Sequence, residues 1–172
     1  MKTFLKIFAI SIFVAAFISA CESVTPQLEF SGKLISRTDC KSGELSVVES
    51  VTTDTLSCIE YEFESGDNSL HLKHVNSGFN CCPGEIFSSF KLNNDTIIVT
   101  ESEREPGCKC NCLFDLEMEI KGITNRVYQI KIIEPYIGEQ EKLSFTLDLT
   151  KVKEGSVCVT RKQYPWGMSQ IN

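Results

Sequence analysis

The amino-acid sequence predicts an all-β protein, with an antiparallel, sandwich-like domain, immunoglobulin-like or related, that is disulfide-stapled. Three observations predict this fold class. Short segments alternate apolar with polar residues, turn-forming residues separate the segments, and the eight cysteines that follow residue 21 form an even set.

The first 20 residues have the layout of a removable export signal. Lys2 and Lys6 give a positive start, and the run from Ile7 to Ala20 is uncharged, mostly apolar and ends in small residues. A membrane-spanning helix needs about 20 apolar residues, and this run is shorter and stops at Cys21. We therefore expect residues 1–20 to be a cleaved signal peptide.

The end of this signal resembles a bacterial lipobox. In Ile18-Ser19-Ala20-Cys21, the resemblance implies cleavage before the cysteine and a diacylglycerol on its sulfur. Two or more acyl chains give stable anchoring, so the membrane is the first expected partner, through lipid on Cys21. Residues 21–27 would be a lipidated tether and residues 28–172 the β-sandwich-like domain. The alternative is an ordinary signal whose cleavage leaves a free cysteine.

The mature chain is acidic and long enough for one domain with a core. Removing residues 1–20 leaves 152 residues, with 15 basic against 23 acidic side chains and a net charge of −8. Because no basic stretch is available to bind phosphates, we expect no nucleic-acid partner.

Cysteine usage predicts disulfide bonds. Assigning Cys21 to lipid leaves an even set of eight in an oxidising compartment. The disulfide candidates are Cys40, Cys58, Cys81, Cys82, Cys108, Cys110, Cys112 and Cys158.

Ten segments after the signal have strand character, and turn residues such as Ser65–Asn68, Asn93–Asp95 and Gly122–Asn125 separate several of them. In many of them apolar and polar residues alternate, the period of a sheet with one buried face. The predicted strands are Leu28–Leu34, Leu45–Glu49, Leu56–Phe63, Leu70–Val75, Ile86–Leu92, Thr96–Thr100, Cys110–Lys121, Val127–Glu134, Leu143–Leu149 and Ser156–Thr160.

The stretch 107–120 places three cysteines at every second position. Cys108, Cys110 and Cys112 share a predicted strand face with the four apolar residues that follow, so we expect all three to face the core. Positions two apart are about 6.5 to 7 Å apart, near the limit for a disulfide, so these cysteines should pair elsewhere. Cys81 and Cys82 are the nearest distinctive partners in the sequence. The five clustered cysteines and the other three are both odd sets, so at least one bridge should join them.

Two other chemistries are weighed. The clustered cysteines with His71 and His74 could bind zinc or monovalent copper, but a straight strand spreads alternate cysteines along a line and places these two histidines on opposite faces. Asp115, Glu117 and Glu119 could serve a hydrolase, but they occupy the outward half of an amphipathic strand. We expect no metal, no cofactor and no catalytic site.

An aromatic tail adds a second class of partner. The segment 163–168 contains the only tryptophan beside a tyrosine, a pair suited to a sugar ring or a peptide. A plug over one end of the sheet is the competing interpretation. A protein or glycan partner therefore stays open, as does the oligomeric state.

Three motifs carry a family resemblance. With Asn80-Cys81-Cys82, the Cys-x-Cys-x-Cys strand and Phe114-Asp115, roughly residues 70–133 resemble uncharacterised envelope lipoproteins of the Bacteroidetes type. The resemblance implies no particular activity. Asp54-Thr55-Leu56 and Asp95-Thr96-Ile97 resemble the sites that such bacteria O-glycosylate, on Thr55 and Thr96. The acidic run that often marks surface display in this group does not follow Cys21, which favours an outer-membrane anchor facing the periplasm.

These observations predict a lipid-anchored lipoprotein of the cell envelope with a non-catalytic binding or structural role. A thiolate metal-binding protein and a carboxylate-dependent hydrolase are the alternatives.

Overall fold

A computed structural model of the chain describes residues 28–41, 56–105 and 107–162. These residues form nine strands and no helix, which confirms the predicted all-β class. The strands are β1 (Ser31–Arg37), β2 (Leu56–Glu64), β3 (Ser69–Asn80), β4 (Glu85–Asn93), β5 (Thr96–Arg104), β6 (Asn111–Lys121), β7 (Val127–Ile133), β8 (Ser144–Asp148) and β9 (Glu154–Thr160). Each overlaps one predicted segment, and the tenth, 45–49, lies outside the described residues. Within these ranges, no helix has the length and apolar character needed to cross a membrane.

The strands form two sheets that pack face to face. One sheet has five strands in the order β1-β6-β3-β2-β9, and the other has four in the order β4-β5-β7-β8. Every neighbouring pair is antiparallel except β5 and β7, which are parallel. This departs from the purely antiparallel expectation. The connection from β5 to β7 passes through β6 in the opposite sheet, so the chain enters β7 in the same direction.

The core lies between the two sheets and is built from alternating stripes. In β6 the side chains of Phe114, Leu116, Met118 and Ile120 are at most 1% exposed. They pack into one cluster with residues of the other sheet such as Tyr128. Burying one large apolar side chain is worth about 1.5 to 3 kcal/mol, so the alternating pattern determines which face of each strand turns inward.

The predicted turns occur where left-handed backbone is needed. Asn68 and Asn94 have φ values of 52° and 53° between paired strands. Gly122, which follows β6, has φ 79°, and a Cβ there would lie 2.6 Å from the carbonyl oxygen of Glu29. Asparagine tolerates this conformation and glycine favours it.

β3 continues past its predicted end because the strand contains a bulge. Its pairing with β6 shifts register between His74 and Ser77, and Asn76 has φ 64°. The Asn76 side chain accepts a hydrogen bond from Lys41 Nζ at 2.8 Å, and its backbone N–H donates to Asp115 at 2.9 Å. The extended β3 therefore brings the Asn-Cys-Cys segment next to the start of β6.

Candidate functional site

All eight cysteines in the described residues form disulfide bonds, as the even count predicts. The pairs are Cys40–Cys112, Cys58–Cys158, Cys81–Cys110 and Cys82–Cys108. The alternate cysteines of the 107–120 stretch therefore pair elsewhere and not with one another. Two of them pair with the adjacent cysteines after β3, and the Cys40–Cys112 bridge joins the two odd sets.

The prediction that three alternate cysteines face the core is wrong for two of them. Cys112 is 1% exposed and packs in the core. Cys108 is half-buried and Cys110 is exposed. The cause is the start of β6 at Asn111, because strand alternation does not apply to the preceding loop.

The Cys58–Cys158 bridge connects two neighbouring strands directly. The two residues face each other across β2 and β9, with Cα atoms 4.0 Å apart. Cys58 shares its strand face with Glu60, as predicted, yet it is only 2% exposed. This bridge cross-links the edge strand β9 to the sheet.

A group of charged side chains, which the predictions from the sequence do not include, lies buried among the strands. We call it the buried ionic cluster. Its ionisable members are 5% exposed or less, and two buried serines contact them. The members are His74, Glu101, Glu134 and Arg161, with Ser57 and Ser77.

Short hydrogen bonds connect the buried ionic cluster. His74 Nδ1 lies 2.6 Å from Glu101 Oε1, and its Nε2 lies 2.8 Å from Ser57 Oγ. Arg161 Nη2 donates to both oxygens of Glu134, at 2.8 and 2.5 Å. His74 Nε2 is also 3.8 Å from Glu134 Oε1. Two basic and two acidic side chains are therefore paired with one another away from water.

Burial and neighbouring charges shift two pKa values in the buried ionic cluster. Burial opposes the charged form of His74, but the charge and hydrogen bond of Glu101 outweigh it and raise the pKa of His74 above 6.5. Burial also raises the pKa of Glu134, against the opposing charges of His74 and Arg161. The raised pKa favours the protonated form of His74, in which both ring nitrogens are donors, one toward Glu101 and one toward Ser57.

The contacts Ser57–His74–Glu101 have the order of a nucleophile, a base and an orienting acid. All three are buried, at 2% exposure or less. In the protonated form that Glu101 favours, the imidazole also lacks the free nitrogen that a general base needs to accept a proton. The arrangement therefore supports a structural role.

Strand periodicity contains a signal for the buried ionic cluster. Glu101 continues the stripe of Ile97 and Val99, and Arg161 continues that of Val157 and Val159. His74 and Glu134 likewise follow the apolar stripes of β3 and β7. Each of the four charged residues occupies the next inward-facing position, two residues beyond the last apolar residue of its stripe, so extending the alternation by one position identifies them. The prediction that the two histidines face opposite ways is confirmed, because the His71 side chain is 42% exposed.

The three carboxylates considered for hydrolysis are each engaged by a neighbour. Lys41 Nζ lies 2.5 Å from Asp115, Ser36 Oγ donates to Glu117 at 2.8 Å, and Lys33 Nζ lies 2.8 Å from Glu119. The hydrogen bond from Lys33 lowers the pKa of Glu119. A general acid needs a raised pKa, and the environment of Glu119 has the opposite effect.

The solvent face of the five-stranded sheet forms a groove of about 950 Å³, which we call the outer groove. Its lining includes six glutamates against two lysines and one histidine. Glu60 pairs with Lys73 at 3.8 Å and Glu64 with His71 at 3.9 Å, which leaves an excess of negative charge. Ile35, which is 49% exposed, adds an apolar side chain to the lining.

Several predicted site residues fall outside the described residues: Cys21, Thr55 and the aromatic tail 163–168. Thr96 is described. It is the first residue of β5, is half-buried, and follows the exposed turn at Asn94 and Asp95.

Comparisons with known proteins add no family to this picture. No protein-family model, curated protein or solved structure matches the chain.

Proposed function

We propose that the mature chain is a lipid-anchored binding domain of the cell envelope, held through Cys21 to the outer membrane and facing the periplasm. One observation carries the proposal. Each of the eight described cysteines pairs with another described cysteine, so none of them is left as a partner for Cys21. Disulfides persist in oxidising compartments, and the lipobox assigns the ninth cysteine to lipid.

The outer groove supports a non-catalytic binding role and indicates its partner. Excess glutamate over lysine favours a protein partner with cationic side chains. Mixed apolar and charged lining is typical of surfaces that bind polypeptides. The Cys58–Cys158 bridge fixes β9 beside β2, so the wall of the groove near Glu154 is held before binding.

Metabolic labelling tests the anchor. A diderm bacterial host expressing the full chain is supplied with an alkyne-bearing fatty acid, and the protein is analysed by in-gel fluorescence and detergent partitioning. We expect the natural chain to be labelled and membrane-bound, and Cys21→Ala to be neither. The control Cys58→Ala with Cys158→Ala, which removes one bridge, should keep the label. Label that persists in Cys21→Ala would exclude this anchor.

Peptide titration tests the outer groove. The lipid-free domain, residues 22–172, is prepared without reductant so that its disulfide bonds stay intact. It is titrated with a lysine-rich and a glutamate-rich decapeptide at two salt concentrations and followed by NMR. We expect the lysine-rich peptide, and not the glutamate-rich one, to shift the resonances of residues around Glu62, and we expect these shifts to be smaller at the higher salt concentration. The double substitution Glu60→Gln with Glu62→Gln should weaken binding of the lysine-rich peptide, whereas Glu85→Gln, on the opposite sheet, should not. Equal responses to both peptides would refute a cation-selective groove.

A further inference from the structure

Four cysteines gather at the end of β3 and the loop before β6. The sulfur atoms of Cys81, Cys82, Cys108 and Cys110 all lie within 4.8 Å of one another. In the structure they form two adjacent bridges, with Cα separations of 5.6 and 5.5 Å. Within 28–41, 56–105 and 107–162, no other three or more histidine, cysteine or acidic residues converge in this way. We call this group the cysteine cluster.

Hydrogen bonds that involve no sulfur hold the two segments of the cysteine cluster together. The Asn80 side chain donates to the carbonyl of Cys108 at 2.6 Å and accepts from the backbone N–H groups of Cys82 and Cys108. The N–H of Cys81 donates to the carbonyl of Cys110 at 3.1 Å, and that of Gly107 donates to Cys82 at 3.0 Å. Breaking the S–S bonds therefore leaves the two backbones in register.

The cysteine cluster is also accessible. Cys82 and Cys110 are exposed, and each belongs to a different bridge. A small dithiol can therefore reach one sulfur of each bridge from solvent. By contrast, Cys112 in the neighbouring bridge to Cys40 is only 1% exposed.

We infer that the cysteine cluster is a reduction-dependent site for one thiophilic d¹⁰ cation, Zn²⁺ or Cu⁺. Two molecules of a dithiol reductant supply four electrons and four protons. The two bridges become four thiols, and each reductant molecule becomes a disulfide. The cation then binds the thiolates, and their protons pass to solvent.

Distances fit such a site. A tetrahedral zinc–thiolate centre has Zn–S bonds of about 2.3 Å, which places its sulfurs about 3.8 Å apart. The widest separations, 4.8 Å or less, would shrink by about 1 Å, and after reduction the two sulfurs of each bridge would move apart from about 2.0 Å to about 3.8 Å by side-chain rotation. Zn²⁺ with four thiolates has a net charge of −2, and Lys109, between Cys108 and Cys110, is the adjacent cationic side chain. The site thus differs from the straight row of cysteines that the sequence alone predicts.

Metal titration of the full-length mature domain tests the inference. After anaerobic reduction and removal of the reductant, Co²⁺ serves as an optical probe of thiolate coordination, and Zn²⁺ and Cu⁺ are added as competitors. We expect one Co²⁺ per chain with tetrahedral thiolate bands, displaced by Zn²⁺ or Cu⁺, and binding at least 100-fold weaker to the oxidised protein. Displacement by only one of them would identify the cation.

Variants and alkylation locate the site. Cys82→Ser with Cys108→Ser should abolish the bands, whereas the matched control Cys58→Ser with Cys158→Ser should keep them. To separate loss of the fold from loss of the ligands, the natural chain is also alkylated with and without Zn²⁺ and mapped by mass spectrometry. Zinc should protect Cys110 and its three cluster partners at least tenfold. Absence of bands, or equal alkylation with and without zinc, would overturn the inference.

Discussion

Replacing Arg161 by methionine tests the buried ionic cluster most sharply. The change removes the guanidinium that donates to both oxygens of Glu134, whose side chain is 1% exposed. Removing one partner of a buried ion pair leaves the other charge without compensation, which costs about 3 to 5 kcal/mol. A domain of this size has a net stability of about 5 to 15 kcal/mol, so the loss should be plain in urea denaturation.

A matched control and a second variant separate the possible causes. Arg104→Met breaks an exposed pair with Glu85, whose side chains are 68% and 56% exposed, and should cost about 1 kcal/mol or less. Glu134→Gln added to Arg161→Met removes the uncompensated charge and should restore about 0.5 to 3 kcal/mol, the range of interaction energies between residues in contact. If Arg161→Met costs no more than Arg104→Met, or if Glu134→Gln restores nothing, the electrostatic explanation is refuted.

Three further predictions concern other parts of the fold. Because His74 has a pKa above 6.5 in the folded state, its contribution to stability is complete below pH 6.5 and lost as pH rises through the folded pKa. The unfolding free energy should therefore fall from pH 6 to pH 9 in the natural chain and in His71→Gln, but less in His74→Gln; an unchanged slope in His74→Gln contradicts this. Removing the Cys58–Cys158 bridge with two alanines should cost about 2 to 4 kcal/mol in urea denaturation without reductant, because it joins residues 100 apart, and a loss below about 0.5 kcal/mol would argue against that bridge. Gly122→Ala should cost about 1 to 3 kcal/mol, because φ is 79° and its Cβ would lie 2.6 Å from a carbonyl oxygen; a neutral effect on the urea midpoint would show that this turn relaxes.

The sequence predicts the strands well because one sheet face is buried in most of them. Alternation in β6 and β8 identifies the core face directly, and turn residues such as Asn94 mark the ends. Strand ends are less predictable where a bulge intervenes. β3 runs on to Asn80 only because Asn76 adopts a left-handed conformation that Lys41 and Asp115 stabilise from other parts of the chain.

The cysteine set is predictable from the sequence, but its connectivity is not. Parity requires a bridge between the two odd sets, yet only the strand order shows that Cys40 meets Cys112 and that β9 lies beside β2. The orientation of Cys108 and Cys110 depends on where β6 begins, because strand alternation applies only from that residue onward. The buried ionic cluster needs residues from β2, β3, β5 and the ends of β7 and β9, which only the packed sheets bring together.

Non-reducing peptide mapping of the protein extracted from membranes without reductant tests the account most directly. Fragmentation between Cys81 and Cys82 assigns their separate partners. The account predicts an N-terminal peptide that begins at lipid-modified Cys21, together with the four bridges of the structure and no free thiol. An unmodified Cys21, a bridge to Cys21, or free thiols at Cys40 and Cys112 would contradict it.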